Sequence, residues 1–319
     1  MSTTTIVKNI HAPGASRSLV RAVLAQETSE GVGATVRRSI GTASLRNFTP
    51  FLMLDNFKVA EGAGFPDHPH RGMTTMTYMI EGECEHEDFM GHRGKLGPGD
   101  LQFMIAGKGV VHSEMPIHKP GGQDPFGLQL WIDLPKQYKL TDPSYQELKA
   151  SEIPSASPID GVHIKVICGE TIDKEQGIVK SPVRPLGGCW FFDVIFEKGS
   201  TGKTFFQKIP KGWNAFVYTL EGKMAVGNPE SVVHQYHTAV LSSNTNEEGV
   251  QVTSVSDTSR FVIVAGEPLD QQVVQHGPFV MTSRTEIMEA FNDYSRGTNG
   301  FEGARGWRSE IGRKMTDFM

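Results

Sequence analysis

Apolar runs in this chain are short, and turn-forming residues close nearly all of them. Phe51–Phe57, Thr74–Ile80, Leu101–Ile105, Leu128–Ile132, Val162–Cys168, Trp190–Phe196, Ala215–Leu220 and Phe261–Ala265 are rich in β-branched, aromatic or alternating apolar residues, bounded by Gly, Pro, Asp or Asn. Thirty-five glycines and eighteen prolines in 319 residues supply the turns that such a chain needs. Strands at this spacing, with little helical periodicity between them, predict an all-β barrel or sandwich. In Leu128–Ile132 the alternation is clean: Leu128, Leu130 and Ile132 face one way, Gln129 and Trp131 the other. That second face either lines a pocket or packs against a neighbouring layer.

A weak internal repeat divides the chain. Tyr78-Met-Ile-Glu81-Gly82 recurs as Tyr218-Thr-Leu-Glu221-Gly222, each after a strand-like run, as a duplicated β-domain would place it. The length suits two domains at about 150 residues each. The Pro/Ser-rich stretch Ser151–Pro158 marks the boundary, so the expected units are 1–150 and 160–282, with a helix and tail over 283–319. The helix is announced by the capping-box pattern Ser283-x-x-Glu286, followed by Ile287, Met288, Phe291 and Tyr294 as its apolar face and Gly297 as its stop. The rest, Phe301–Met319, is polar apart from Trp307 and Ile311 and is expected to be partly ordered at best.

Charge and cysteine content narrow the function classes. Thirty-one basic against thirty-six acidic side chains give −5, which offers no footprint for gripping a phosphate backbone and argues against direct nucleic-acid binding. No apolar run approaches the roughly 18 residues of a membrane span. Met1–Lys8 lacks the apolar core of a secretion signal. Cys84, Cys168 and Cys189 are odd in number and unpatterned, which points away from a disulfide framework and toward a reducing, intracellular compartment.

Chemistry concentrates in the histidines. His68 and His70 sit in Phe65-Pro-Asp-His-Pro-His-Arg-Gly72, and His112 in Gly109-Val-Val-His-Ser-Glu114. On an extended chain residues i and i+2 point to one side, so each pair reaches a common point. Two such pairs on neighbouring strands make a cage of three histidines and one carboxylate, His68, His70, His112 and Glu114. Its mixed N/O character suits a first-row transition metal rather than Ca²⁺ or thiolate-held Zn²⁺. His86 and His92, with Glu87 and Asp88 between them, read as a solvated loop. His237 and His276 lack a histidine-bearing partner strand in the second half, which favours packing roles, and Glu302, Arg305 and Arg308 read as a solvated face.

The pattern Gly62-x5-His68-x-His70, then Glu81-Gly82, Gly99-Asp100 and Gly107-Lys-Gly-Val-Val-His112, resembles the two motifs of the cupin superfamily. More narrowly, Phe65–Gly72, His86-Glu-Asp-Phe89, Pro98-Gly-Asp-Leu-Gln102, His112-Ser-Glu-Met-Pro116 and Gly127-Leu-Gln-Leu-Trp131 resemble the pirin family. So do Ile209-Pro-Lys-Gly-Trp213, His237-Thr-Ala-Val-Leu241, Ala265-Gly-Glu-Pro-Leu269 and Gln275-His-Gly-Pro-Phe-Val-Met281. The resemblance runs from about Ser18 to Gly312. It implies two tandem jelly-roll-type cupin barrels with a C-terminal helix, and one Fe²⁺ per chain, replaceable by other divalent transition metals, in the N-terminal barrel. The implied ligands are His68, His70, His112 and Glu114. Many cupins and pirins carry Glu where this chain has Thr74, which implies a changed outer hydrogen bond.

Two functions follow from the resemblance. One is a quercetin 2,3-dioxygenase-type enzyme that takes a flavonol-like small molecule and O₂, with Glu114 as general base and Phe65, Met73 and Phe103 as pocket walls. The other is a redox-sensitive co-regulator, in nucleus and cytoplasm, that docks on a transcription-factor protein. The resemblance alone implies the nuclear placement, because Arg37-Arg38 is too short for an import signal. The chain is expected to be a monomer.

Overall fold

The computed structural model describes residues 14–316, so Met1–Lys8 and the last residues of the tail lie outside the described residues. Two seven-stranded sheets form the centre, and every strand pair is antiparallel. The first runs Ser144–Leu148, Leu101–Ile105, Met73–Glu81, Phe126–Asp133, Phe51–Lys58, Ala34–Ile40, Gln26–Glu30. A four-stranded sheet in the order Phe65–His70, Val110–Ile117, Glu83–Asp88, Arg93–Leu96 belongs to the same half and completes the first jelly-roll-type barrel. The second half repeats the plan. Its large sheet runs Leu19–Leu24, His237–Leu241, Asn214–Glu221, Ser259–Gly266, Cys189–Phe196, Val162–Cys168, Ser155–Ala156, and its small one Thr204–Lys208, Gly249–Ser254, Lys223–Val226, Val232–His234.

The large sheets pack together through a shared core in which Phe51, Leu54, Met76, Leu128 and Leu130 meet Ile167, Phe191, Phe216, Val262 and Val264. Removing each large side chain from water contributes about 1.5–3 kcal/mol. The repeat tyrosines lie in this core on matching strands, and Gly82 and Gly222 turn the chain after them with φ 69° and 74°, a region open to glycine. Tyr78 donates to Asp193 at 2.9 Å, and Arg260 pairs with the same carboxylate at 2.7 Å, so a satisfied polar link crosses the halves.

Each strand expected from sequence lies within an observed one, and all eight belong to the two large sheets. One placement differs from the expected division. Leu19–Leu24 precedes the first barrel in the chain yet hydrogen-bonds to His237–Leu241 of the second, so residues 1–150 do not all serve the N-terminal barrel.

Helix α1 (Arg284–Arg296) begins where the capping box placed it: Ser283 Oγ accepts from the Glu286 amide, and Glu286 accepts from the Thr282 amide. Gly297 ends it in the left-handed region at φ 68°. Its buried residues are Ile287 and Ala290, while Met288 is 60% exposed, because the helix beds on a narrower stripe than the apolar residues suggested. The described residues of the tail, 301–316, begin with turns. They continue into α2 (Glu310–Thr316), whose Ile311 packs with Met115 of the first barrel. Glu302, Arg305 and Arg308 are exposed, as read. Among the described residues no helix is long and apolar enough to cross a membrane. All three cysteines are free and buried.

Candidate metal centre

The strands Phe65–His70 and Val110–Ile117 are neighbours, with His112 opposite His68 and a register shift before Glu114, which lies opposite Phe65. Side-chain alternation on the paired strands then points the three imidazoles inward together. Their rings sit 4.5–5.0 Å apart, and one nitrogen from each lies within 4.8 Å of the others. Glu114 Oε2 is 3.9 Å from His112 Nε2. The three histidines paired from sequence therefore come together in space, and Glu114 lies beside His112 outside that close group.

The hydrogen bonding around them leaves three ring nitrogens without a partner. His68 Nδ1 donates to the Pro66 carbonyl at 2.8 Å, which fixes the tautomer with the lone pair on Nε2, and that Nε2 faces His112 Nε2 at 3.0 Å. Two nitrogens about 2.1 Å from one ion at right angles would be about 3.0 Å apart. Both nitrogens of His70 and Nδ1 of His112 are buried without a hydrogen-bond partner, a costly arrangement for polar atoms unless something else engages them. Burial, reinforced by His68, holds His70 and His112 well below the usual imidazole range, so both are neutral donors at pH 7. The residues fit a first-row metal ion.

Glu114 is held at both oxygens. Thr77 Oγ1 donates to Oε1 at 3.0 Å and Gln129 Nε2 to Oε2 at 2.9 Å, and Gln129 Oε1 accepts from Trp131 Nε1 at 3.0 Å. Trp131 stands edge-on to His70 at 5.2 Å. The polar face of Leu128–Ile132 thus lines the site, while Leu128, Leu130 and Ile132 lie in the central core. Thr77 carries no sequence signal that would single it out; only its partner on the neighbouring strand, Gln129, reveals it.

A cavity of about 780 Å³ opens against His68 and His70, lined by Phe57, Phe65, Met53 and Trp131, by Arg38, Arg46 and Asp55, and by Val273, Gln275 and Pro278 from the second half. Three expectations fail here. Met73 is fully buried against Leu52 and Val280, and Phe103 belongs to the central core, so neither walls the cavity. Thr74 lies on the face of its strand shared by Met76 and Tyr78, opposite Thr77, and has no bearing on the cage. His86 is no loop residue: it is 3% exposed on Glu83–Asp88, opposite Glu114, with Nε2 2.7 Å from Glu147. Asp88 beside it is buried and accepts from Tyr145 and the half-exposed His92. Charged side chains facing a barrel interior looked solvated in sequence because their partners are distant in the chain.

In the second barrel no equivalent cage forms among the described residues. His237 bonds the Gln235 carbonyl, and His276 packs edge-on to Phe291 at 5.0 Å.

Residues 33–132 match the model of the family Pirin, and 197–300 that of the Pirin C-terminal cupin domain. The human protein named Pirin is 45% identical over 303 residues, covering 94% of this chain and 99% of its own. A tomato (Solanum lycopersicum) pirin-like protein is 46% identical over 296 residues, 92% of this chain and 97% of its own. Among solved structures, a quercetin 2,3-dioxygenase from Acinetobacter baumannii superposes with TM-score 0.77 at 31% identity, covering 89% of this chain and 98% of that one. The two-barrel architecture with its small C-terminal helix is therefore the cupin fold.

Proposed function

The chain belongs to the pirin family, and from that premise we propose that it is a mononuclear iron protein with flavonol (quercetin 2,3-) dioxygenase-type activity. We also propose a regulatory role as a redox-sensitive transcriptional co-regulator, acting as a monomer in nucleus and cytoplasm. The observation that carries the reading is the convergence of three imidazoles, with a carboxylate beside His112, against a large cavity. Kinship to a quercetin 2,3-dioxygenase supports the substrate class.

His68, His70, His112 and Glu114 would hold the metal, which would supply a Lewis acid and a one-electron couple at positions the protein leaves open. Glu114 supplies the proton chemistry. A flavonol hydroxyl directed at the cage meets a carboxylate oxygen that can accept its proton, and Thr77 and Gln129 keep that oxygen aimed. Phe57, Phe65 and Trp131 offer apolar faces to a planar ring system and keep water from it. The −5 balance fits a protein partner rather than DNA.

Metal analysis combined with oxygen uptake on a flavonol tests the proposal. One equivalent of iron is expected, lost in His112→Ala and kept in His237→Ala. Glu114→Gln keeps the bond accepted from Gln129, lets its NH2 donate to Thr77 Oγ1 in place of the bond it accepted, and removes the charge; turnover should fall by about 10²–10⁴-fold with metal retained. Two tightly bound equivalents would overturn the assignment of the cage. Negligible wild-type uptake would overturn the enzyme and leave the regulator, which itself fails if partner binding is indifferent to the oxidation state of the iron.

A further inference from the structure

The strand that brings two of the three histidines is poorly held by its own sheet. Phe65–His70 is an edge strand: it pairs with Val110–Ile117 on one side, and its other side has no strand partner among the described residues. Pro66 and Pro69 have no amide hydrogen to contribute, and the one ladder it does make is irregular between His112 and Glu114. Coordination needs donor atoms held within about 0.5 Å. Such a strand needs support from elsewhere.

The C-terminal segment provides it at both ends. Beyond His70, Arg71 exchanges backbone hydrogen bonds with Pro278 and Val280. Its side chain, 3% exposed, donates to Asp293 of α1 at 2.8 Å and to the Lys108 and Asn299 carbonyls at 2.6 Å, and lies over the Phe301 ring. Before His68, Asp67 accepts from the amide of buried Ser309 at 3.2 Å and from its hydroxyl; that hydroxyl also accepts from the Gly312 amide in the first turn of α2. Between these ties, Val111 packs with Phe279, Ile287, Ala290 and Phe301. Alternate residues face opposite sides of a strand, so ties on Asp67 and Arg71 grip the back of the strand whose front carries His68 and His70.

We propose that the C-terminal segment 278–312 is a working part of the metal site, with Asp67–Ser309 and Arg71–Asp293 as pairs of positioning residues for His68 and His70. This rests on the metal reading above and goes beyond it. The competent cage belongs to the whole chain, although all four ligands lie in the first barrel. Linkage then requires the reverse effect, in which a bound metal protects α1 and α2 from opening.

The test uses the full chain loaded with cobalt(II), whose visible spectrum reports ligand geometry. Affinity is measured by chelator competition on wild type, Ser309→Ala, Ser309→Thr and Asp293→Ala, alongside urea unfolding of each apoprotein. Ser309→Ala and Asp293→Ala should bind cobalt about 10–100-fold more weakly, the usual effect of losing a group that orients a ligand, with an altered spectrum. Ser309→Thr, which keeps the hydroxyl, should restore both. A purely structural role predicts lower apoprotein stability with affinity and spectrum unchanged in the folded fraction, and that result overturns the proposal. If Asp293→Ala does not fold, the Ser309 pair decides. A wild-type chain that takes up no cobalt overturns the metal reading itself, a different outcome from equal binding by all four proteins.

Discussion

Replacing Gln129 by Leu isolates the contribution of the residue that holds Glu114 in place. The substitution keeps most of the volume of the side chain, shortens it by one atom and removes three hydrogen bonds, from Gln129 Nε2 to Glu114 at 2.9 Å, from Trp131 Nε1 to Gln129 at 3.0 Å and a long one from Gln129 Nε2 to Thr77 at 3.4 Å. A hydrogen bond to an ionised group contributes about 1.5–3 kcal/mol and a neutral one about 0.5–1.5 kcal/mol. The Trp131 donor faces the cavity, where water can satisfy it, so the loss falls mainly on Glu114. Its Oε1 keeps Thr77 at 3.0 Å, so the carboxylate stays in the site but can swing about that single tie. A loss of about 1.4–2.8 kcal/mol corresponds to metal binding about 10–100-fold weaker, within the range for residues that orient a ligand. Chelator competition on Gln129→Leu gives the affinity, and urea unfolding of the apoprotein separates it from global stability. Affinity equal to wild type would refute the reasoning, because Glu114 would then be indifferent to what holds it.

Two further outcomes are expected. Burial, with His68 as second cause, lowers His70 and His112, so between pH 6.5 and their depressed values the unfolded chain takes up protons that the folded apoprotein does not. Stability of the apoprotein should fall as pH drops below about 6.5, by up to about 2.7 kcal/mol per pH unit for the two residues; a urea midpoint constant between pH 7.5 and 5 would contradict this. Lys139, 3% exposed, ties Asp133, Gly72 and Val280 together through Nζ, so Lys139→Met strands a buried carboxylate and should cost about 3–5 kcal/mol in urea unfolding, with part recovered when Asp133→Leu is added; a cost below about 1 kcal/mol would show the pair to be dispensable.

What the chain declares locally is what periodicity carries. The strands legible in sequence are those of the two large sheets, where burial against both barrel interior and central core makes the residues apolar in continuous or alternating runs. The His68/His70 and His112/Glu114 pairs were legible for the same reason: an i, i+2 spacing on extended backbone needs no knowledge of the rest of the fold. The capping box and Gly297 set the bounds of α1 by contacts within a few residues. By contrast, Phe65–His70 and Glu83–Asp88 are polar, proline- or charge-bearing strands whose β character comes from pairing, so propensity hid them.

Tertiary structure alone decided which residues support the cage. Thr77, Gln129 and Glu114 are separated in sequence and meet because two strands paired in register in the large sheet face a strand of the small sheet, a long-range arrangement that one sequence does not display. The same holds for Asp67 with Ser309 and Arg71 with Asp293, contacts across more than two hundred residues. The crossing of Leu19–Leu24 into the second sheet, and the bedding of α1 on Ile287 and Ala290 rather than Met288, were settled by which surfaces remained to be covered. Local pattern thus marked the candidate ligands, and the folded chain decided what surrounds them.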